Sequence, residues 1–234
     1  MVLLHVVRSL RYLARGRFLS GPKIGVFDEV TTHVYAGFRM MDAFMHVNNA
    51  RYLELFEFAR WHEAGVKRSV PLFKAAGMYP VVGAVHIQFI KEVPPASLVM
   101  IRTKVVGLED RALVARQHMF NRTGTKLHAT AIFRVSLIDT RSKKPATISP
   151  SEALARLGLD EAEVRSAAEA AWLQDFVATA DDTQSTTPEA SQKQSAEKEE
   201  AIRVLRDVSV LDNDWRRIMK RLQDKLKPTK KSNK

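Results

Sequence analysis

Asp42-Ala43-Phe44-Met45-His46-Val47-Asn48-Asn49-Ala50-Arg51-Tyr52 is the stretch on which the reading of this chain turns. A lone carboxylate precedes a polar turn, and an aromatic-rich run, Tyr52-Leu53-Glu54-Leu55-Phe56-Glu57-Phe58-Ala59-Arg60-Trp61, follows at once. The run predicts a helix over 49–64 with Gly65 as its stop. Its apolar positions go nearly all the way round, so the helix is expected to be buried against a sheet. A helix start offers free N–H groups and partial positive charge that can hold a developing oxyanion. A carboxylate beside it can act as base or nucleophile.

Working outward, residues 28–41 read as a strand through Val30, Val34, Tyr35 and Phe38. Residues 66–78 read as a connection, with room for a short helix. Four strand-like runs follow, Val81–Lys91, Leu98–Gly107, Arg111–Phe120 and Leu127–Ile138, and they are expected to connect as a meander. Pro94-Pro95 breaks the first two apart, Glu109-Asp110 joins the next pair, and Asn121-Arg122-Thr123-Gly124 marks a hairpin. Strand, buried helix and four strands give an α+β domain of two layers. Ser149-Pro150-Ser151-Glu152 then predicts a capped helix that ends at Gly158, and Asp160 with Glu163 opens another to about Ala178. Residues 179–196 have the composition of a flexible linker. Over 197–226, Ile202, Leu205, Val208, Leu211, Trp215, Ile218, Leu222 and Leu226 step by three or four, as in a coiled-coil seam or a docking helix.

The net charge of +11 is not spread evenly. Residues 1–27 carry +5, residues 203–234 carry +7, and the stretch between carries −1. A phosphate-tracking groove across the whole domain is therefore not expected, while contact through the ends stays open. The chain contains no cysteine, which excludes disulfides, thiolate metal sites and cysteine nucleophiles. No apolar run approaches the roughly 20 residues of a membrane span. Residues 1–20 hold Arg8, Arg11, Arg15 and Arg17 without an acid, and Val2, Leu3, Val6, Val7, Leu10, Leu13 and Ala14 fall on one helical face. That composition predicts a mitochondrial presequence and hence a mitochondrial location. A helix on a membrane surface and an ordinary structural arm are the other readings. The expected organisation is a basic N-terminal segment over 1–25, a core domain over 26–145, a helical extension over 146–178, a linker over 179–196, and a basic helix and tail over 197–234.

The element order, together with the stretch from Asp42 to Tyr52, resembles the hotdog-fold thioesterases of the 4-hydroxybenzoyl-CoA thioesterase type. It is most similar to the thioesterase superfamily member 6 group, whose pattern is roughly Asp-x-Asp-x-x-(Gly or Leu)-His-(Val or Met)-Asn-Asn-Ala-Arg-Tyr-Leu. Val106-Gly107-Leu108-Glu109-Asp110-Arg111-Ala112 is similar to that group's turn between its third and fourth strands. The resemblance covers about residues 28–140 and explains neither extension. It implies one long central helix wrapped by an antiparallel five-stranded sheet. It further implies that Asp42 attacks a thioester carbonyl or activates water, and that the Asn49 N–H polarises that carbonyl. Two chains would join edge to edge, with acyl-CoA between them and coenzyme A present only as part of the substrate. In two places the chain departs from the pattern: Met40 replaces its first Asp, and Met45 replaces the Gly of many active enzymes.

Each candidate residue also has a purely structural reading. Asp42 suits a helix start as a capping residue. His46 can order the turn locally or take part in catalysis. Asn48 fits a brace or a substrate contact, and Asn49 would act through its backbone. Arg51 can pair with an acid on a neighbouring strand or meet a coenzyme A phosphate, and Tyr52 beside it opens the helix and is a further candidate for substrate contact. Glu57 is a candidate second carboxylate, but is expected first in a buried pair with Arg60 or Arg39. Phe56, Phe58, Trp61 and Phe89 are expected first in the core and only then along an acyl pocket. His86 and His128 lack the partner spacing of metal ligands. Three functions stay in play: a mitochondrial acyl-CoA thioesterase, a non-catalytic hotdog module whose C-terminal helix docks on protein or RNA in a mitochondrial assembly, and a protein that holds a thioester without cleaving it.

Overall fold

The structure, a computed structural model, describes residues 2–19, 25–109, 111–141, 144 and 146–167. The expected linker over 179–196 and the helix over 197–226 lie outside the described residues. At the centre is helix α2, Asn49–Val66, started by Asn48, whose Oδ1 accepts the Ala50 N–H at 2.9 Å. Strand β1, Val30–Ala36, precedes it and turns Val30, Thr32, Val34 and Ala36 inward by simple alternation. A short helix α3, Ser69–Ala75, fills the connection. The strands that follow are β2 (Met78–Phe89), β3 (Ser97–Glu109), β4 (Ala112–Asn121) and β5 (Leu127–Asp139). All pair antiparallel around α2, in the spatial order β1-β3-β4-β5-β2. This is the α+β hotdog arrangement, with its core built from Leu55, Phe56, Ala59, Ile101, Met119 and Phe133.

Two features of the sheet differ from expectation. The meander runs only from β3 to β5, while β2 lies across the sheet, beside β5 at the far edge. The connection over 90–96 makes this crossing possible. It is pinned under the start of α2 by the Val47 N–H bonding the Val93 carbonyl at 3.0 Å and by the Val93 N–H bonding the Tyr52 hydroxyl at 3.1 Å. A sixth short strand, β6 (Ala146–Ile148), adds to β5, and no sequence pattern announced it. Local chemistry holds elsewhere. The Asn121 side chain accepts the N–H groups of Thr125 and Lys126 at 2.9 and 3.1 Å, and Gly124 takes φ +77°. Helix α4, Pro150–Leu157, starts on Ser149, whose Oγ accepts the Glu152 N–H at 3.1 Å, and ends on Gly158 at φ +68°. Residues 161–167 form a further helix, opened by the Asp160 carboxylate.

Sheet burial alone does not account for the all-round apolar character of α2. Residues 2–19 form an 18-residue helix, α1 (Val2–Leu19), which covers the side of α2 that the sheet leaves open. Tyr12 stacks on Phe58 with ring centres 5.3 Å apart, and Gly16 meets Gly65 where the helices cross. A Cβ on Gly16 would collide with the His62 carbonyl oxygen, and one on Gly65 with that of Leu13. Glycine at both positions therefore sets a backbone-to-backbone approach.

Candidate active site

The segment between β1 and α2 folds back on itself. Met41 and Val47 form an antiparallel bridge, the Asp42 N–H bonds the His46 carbonyl at 3.1 Å, and the Asn48 N–H bonds the Met40 carbonyl at 2.8 Å. Asp42 and Asn49 thus flank one short paired segment at the start of α2. One oxygen of the Asp42 carboxylate, Oδ1, accepts the Phe44 N–H at 2.9 Å, and its side chain keeps 20% of its surface exposed. His46 places Nδ1 3.3 Å from the same oxygen without lining up for a hydrogen bond, so that buried nitrogen has no partner among the described residues. Asn49 is the first residue of α2, and its N–H has no acceptor within the helix.

The two methionines occupy opposite environments. Met40 is fully buried, in the same core as Val47 and Tyr52. Met45 is 64% exposed and takes φ +62°, a conformation that favours glycine.

The remaining candidates scatter. Asn48 is the helix cap. Arg51 pairs with Glu54 on its own helix, at 3.2 Å, rather than with a neighbouring strand. Tyr52 is a buried pin between α2 and the crossing connection, its hydroxyl raised in pKa by burial. Phe56 and Phe58 are core, whereas Phe89 is exposed and meets Tyr52 edge-on. Glu57 pairs with neither Arg60 nor Arg39: it is half-exposed and meets His5 Nε2 at 3.2 Å and the Trp61 indole N–H at 3.2 Å. Arg60 instead donates to Gln117 Oε1 at 2.8 Å, lies over the Phe133 ring at 4.2 Å, and is lowered to a pKa of about 10 by burial.

Sequence reasoning missed the buried carboxylate of α2, which is Glu54. Arg39, Arg8, Arg51 and His5 gather around it. Burial, and then the nearby Arg39 charge, lower the Arg8 pKa. The available signal was that an acid-free helix rich in arginine needs a carboxylate to pack against, and Glu54 lies one turn from Phe58 on the same face. The fully buried Gln117 was missed too; it donates to the Phe56 carbonyl at 3.1 Å and Thr103 Oγ1 at 2.9 Å, bracing α2 against the sheet.

Cavities open among the described residues. A groove of about 1050 Å³ lies between α1 and β1, lined by Arg8, Arg11, Arg15, Tyr35, Phe38 and Arg39 among others. One of about 770 Å³ lies beside Lys91, Glu92 and Asn121. One of about 750 Å³, mostly apolar, lies between α2 and the start of β2 and is lined by Trp61, Phe73, Tyr79 and Val82. None of the three is lined by Asp42, His46 or Asn49.

Among solved structures, the chain is similar to the probable thioesterase YbaW from Escherichia coli, at 25% identity and TM-score 0.48 over 54% of this chain and 95% of that one. It is also similar to a probable thioesterase from Bartonella henselae, at 24% identity and TM-score 0.42 over 52% and 98%. A DHNA-CoA thioesterase from Staphylococcus aureus matches at 18% identity and TM-score 0.42 over 56% and 91%. Among curated proteins, none matches the chain. The model of the thioesterase-like superfamily matches residues 36–158, more than half of the chain, and the protein belongs to that family.

Proposed function

We propose that this protein hydrolyses acyl-CoA thioesters as a dimer, with Asp42 as the general base or nucleophile and the Asn49 N–H as the oxyanion donor. In the general-base route Asp42 takes a proton from water as the water oxygen attacks the thioester carbonyl carbon. Charge collects on the carbonyl oxygen, where the start of α2 stabilises it. The C–S bond then breaks, and the proton passes to the departing coenzyme A sulfur. The observation that supports this reading is the setting of Asp42: partly exposed, steadied by the Phe44 N–H, and carried on the paired segment that leads directly into α2, whose first N–H has no acceptor within the helix.

The dimer is supported by β2. It is an edge strand of 12 residues, apolar and exposed through Val81, Val82, Val85 and Phe89, and it carries no Lys, Arg, Asp or Glu. Such an edge is a template for strand pairing. Phe89 of this strand meets Tyr52 near the start of α2 with ring centres 5.1 Å apart, so the strand reaches the end of the helix at which the Asp42 turn enters. Release of free thiol from a short-to-long acyl-CoA panel by the full chain tests the proposal. The paired substitution Val82→Lys and Val85→Lys should halve the sedimenting mass and remove that release together. No release from any acyl-CoA by the unmodified chain would contradict the reading.

A further inference from the structure

Helix α1 packs the wrong way round for a helix that merely completes a soluble domain. Its polar and small residues face inward. His5 and Arg8 reach Glu54, Ser9 is buried, Tyr12 stacks on Phe58, and Gly16 seats on Gly65. Its apolar residues face out: Leu3 is 76% exposed, Val7 52%, Leu10 55% and Phe18 74%. A helix that only completes a core would turn these residues in.

A cationic row lies beside this stripe. Arg11 and Arg15 follow Val7 at steps of four, and α1 carries no acid in its described length. The row opens into the groove where Arg8, Arg11, Arg15 and Arg39 stand with Tyr35 and Phe38, and no acidic residue is among those that line it. Phe38 is itself exposed at this rim. No helix among the described residues is long and apolar enough to cross a membrane. An outward apolar stripe flanked by arginine suits a helix lying in the plane of a bilayer surface, with its apolar side chains at the headgroup–acyl boundary and its cations on lipid phosphates.

We infer that α1 is a retained part of the folded protein and docks it flat on an anionic lipid bilayer, through Leu3, Val7, Leu10 and Phe18 with the arginine row beside them. The glycine crossing and the Glu54 cluster hold α1 to the domain, so docking would bring the whole domain to the surface. The inference does not depend on whether the domain hydrolyses a thioester.

The experiment is co-sedimentation of the full chain with vesicles of phosphatidylcholine alone or with about 30% phosphatidylserine. The chain should pellet with the anionic vesicles, and less so as salt rises. Val7→Glu with Leu10→Glu should lower binding at least about tenfold while the unfolding temperature stays unchanged, because both side chains are exposed. Leu3→Asp, at the free end of the stripe, is the second variant and should also weaken binding. Three results would overturn the inference. The first is equal pelleting by both variants, which would assign binding to the basic stretch over 203–234. The second is a fall in sedimenting mass of the variants without lipid, which would assign the face to a second copy. The third is absence of residues 2–19 from the mature chain, which would make α1 a cleaved segment.

Discussion

Gly16 of α1 and Gly65 of α2 face each other where the two helices cross, and neither position has room for a Cβ. The crossing makes α1 a layer of the fold: it covers Phe58, His62 and Glu54, which the sheet leaves open.

From this contact follows the first prediction. Gly65→Leu should push α1 off α2 and cost about 2 kcal/mol, as over-packing a close contact does. Limited trypsin digestion is the direct check, because α1 carries Arg8, Arg11, Arg15 and Arg17. The variant should be cut within α1 under conditions that leave α1 of the unmodified chain uncut. Equal resistance would mean that α1 does not depend on the crossing.

His62 lies beneath the same crossing, its Nδ1 2.8 Å from Thr32 Oγ1, and burial followed by the charge of Arg15 lowers its pKa to about 4. The unfolded chain takes up this proton near pH 6.5, whereas the folded chain resists it until about pH 4. The stability that neutral His62 contributes is therefore present above about pH 6.5 and is lost as pH falls toward 4. Denaturant unfolding between these limits should show falling stability, and His62→Gln should flatten that slope. An unchanged slope would assign the acid sensitivity to another group.

Met45 carries the positive φ of the Asp42 turn. Glycine relieves the left-handed conformation but loosens the unfolded chain, and the two effects nearly offset. Met45→Gly should therefore unfold within about 0.5 kcal/mol of the unmodified protein, whereas the β-branched Met45→Val should lose about 1 kcal/mol or more. Thermal melts of the two variants side by side check this, and a Val variant as stable as the Gly variant would contradict it.

Much of the fold was legible because its signals are local. Asn48 at the head of an aromatic run, the Asn121-to-Gly124 turn and Ser149-Pro150 each need only their neighbours in sequence to set their geometry. What failed was decided at long range. The far-edge place of β2 depends on the pinning of Val93 under α2, which no strand pattern encodes. The spacing of Leu3, Val7 and Leu10 shows that α1 has an apolar face, but amphipathicity gives a direction and not the partner, and the packing of the opposite face on α2 has no local signal. Glu54 and Glu57 are equally plausible buried acids on the sequence of α2; the arginines of α1 and Arg39 make Glu54 the buried one. The Asp42 turn was legible as a motif, whereas its pairing through the Met41–Val47 bridge is set by the fold-back of the segment and not by any one residue type.

The most direct measurement is the rate of acyl-CoA hydrolysis by Asp42→Asn beside the unmodified chain. The substitution keeps an oxygen for the Phe44 N–H and so preserves the turn, while removing the carboxylate proposed to take the proton. The account predicts a fall in kcat of about a hundredfold or more, with an unchanged unfolding temperature. Equal turnover by the two proteins on the same acyl-CoA would contradict it.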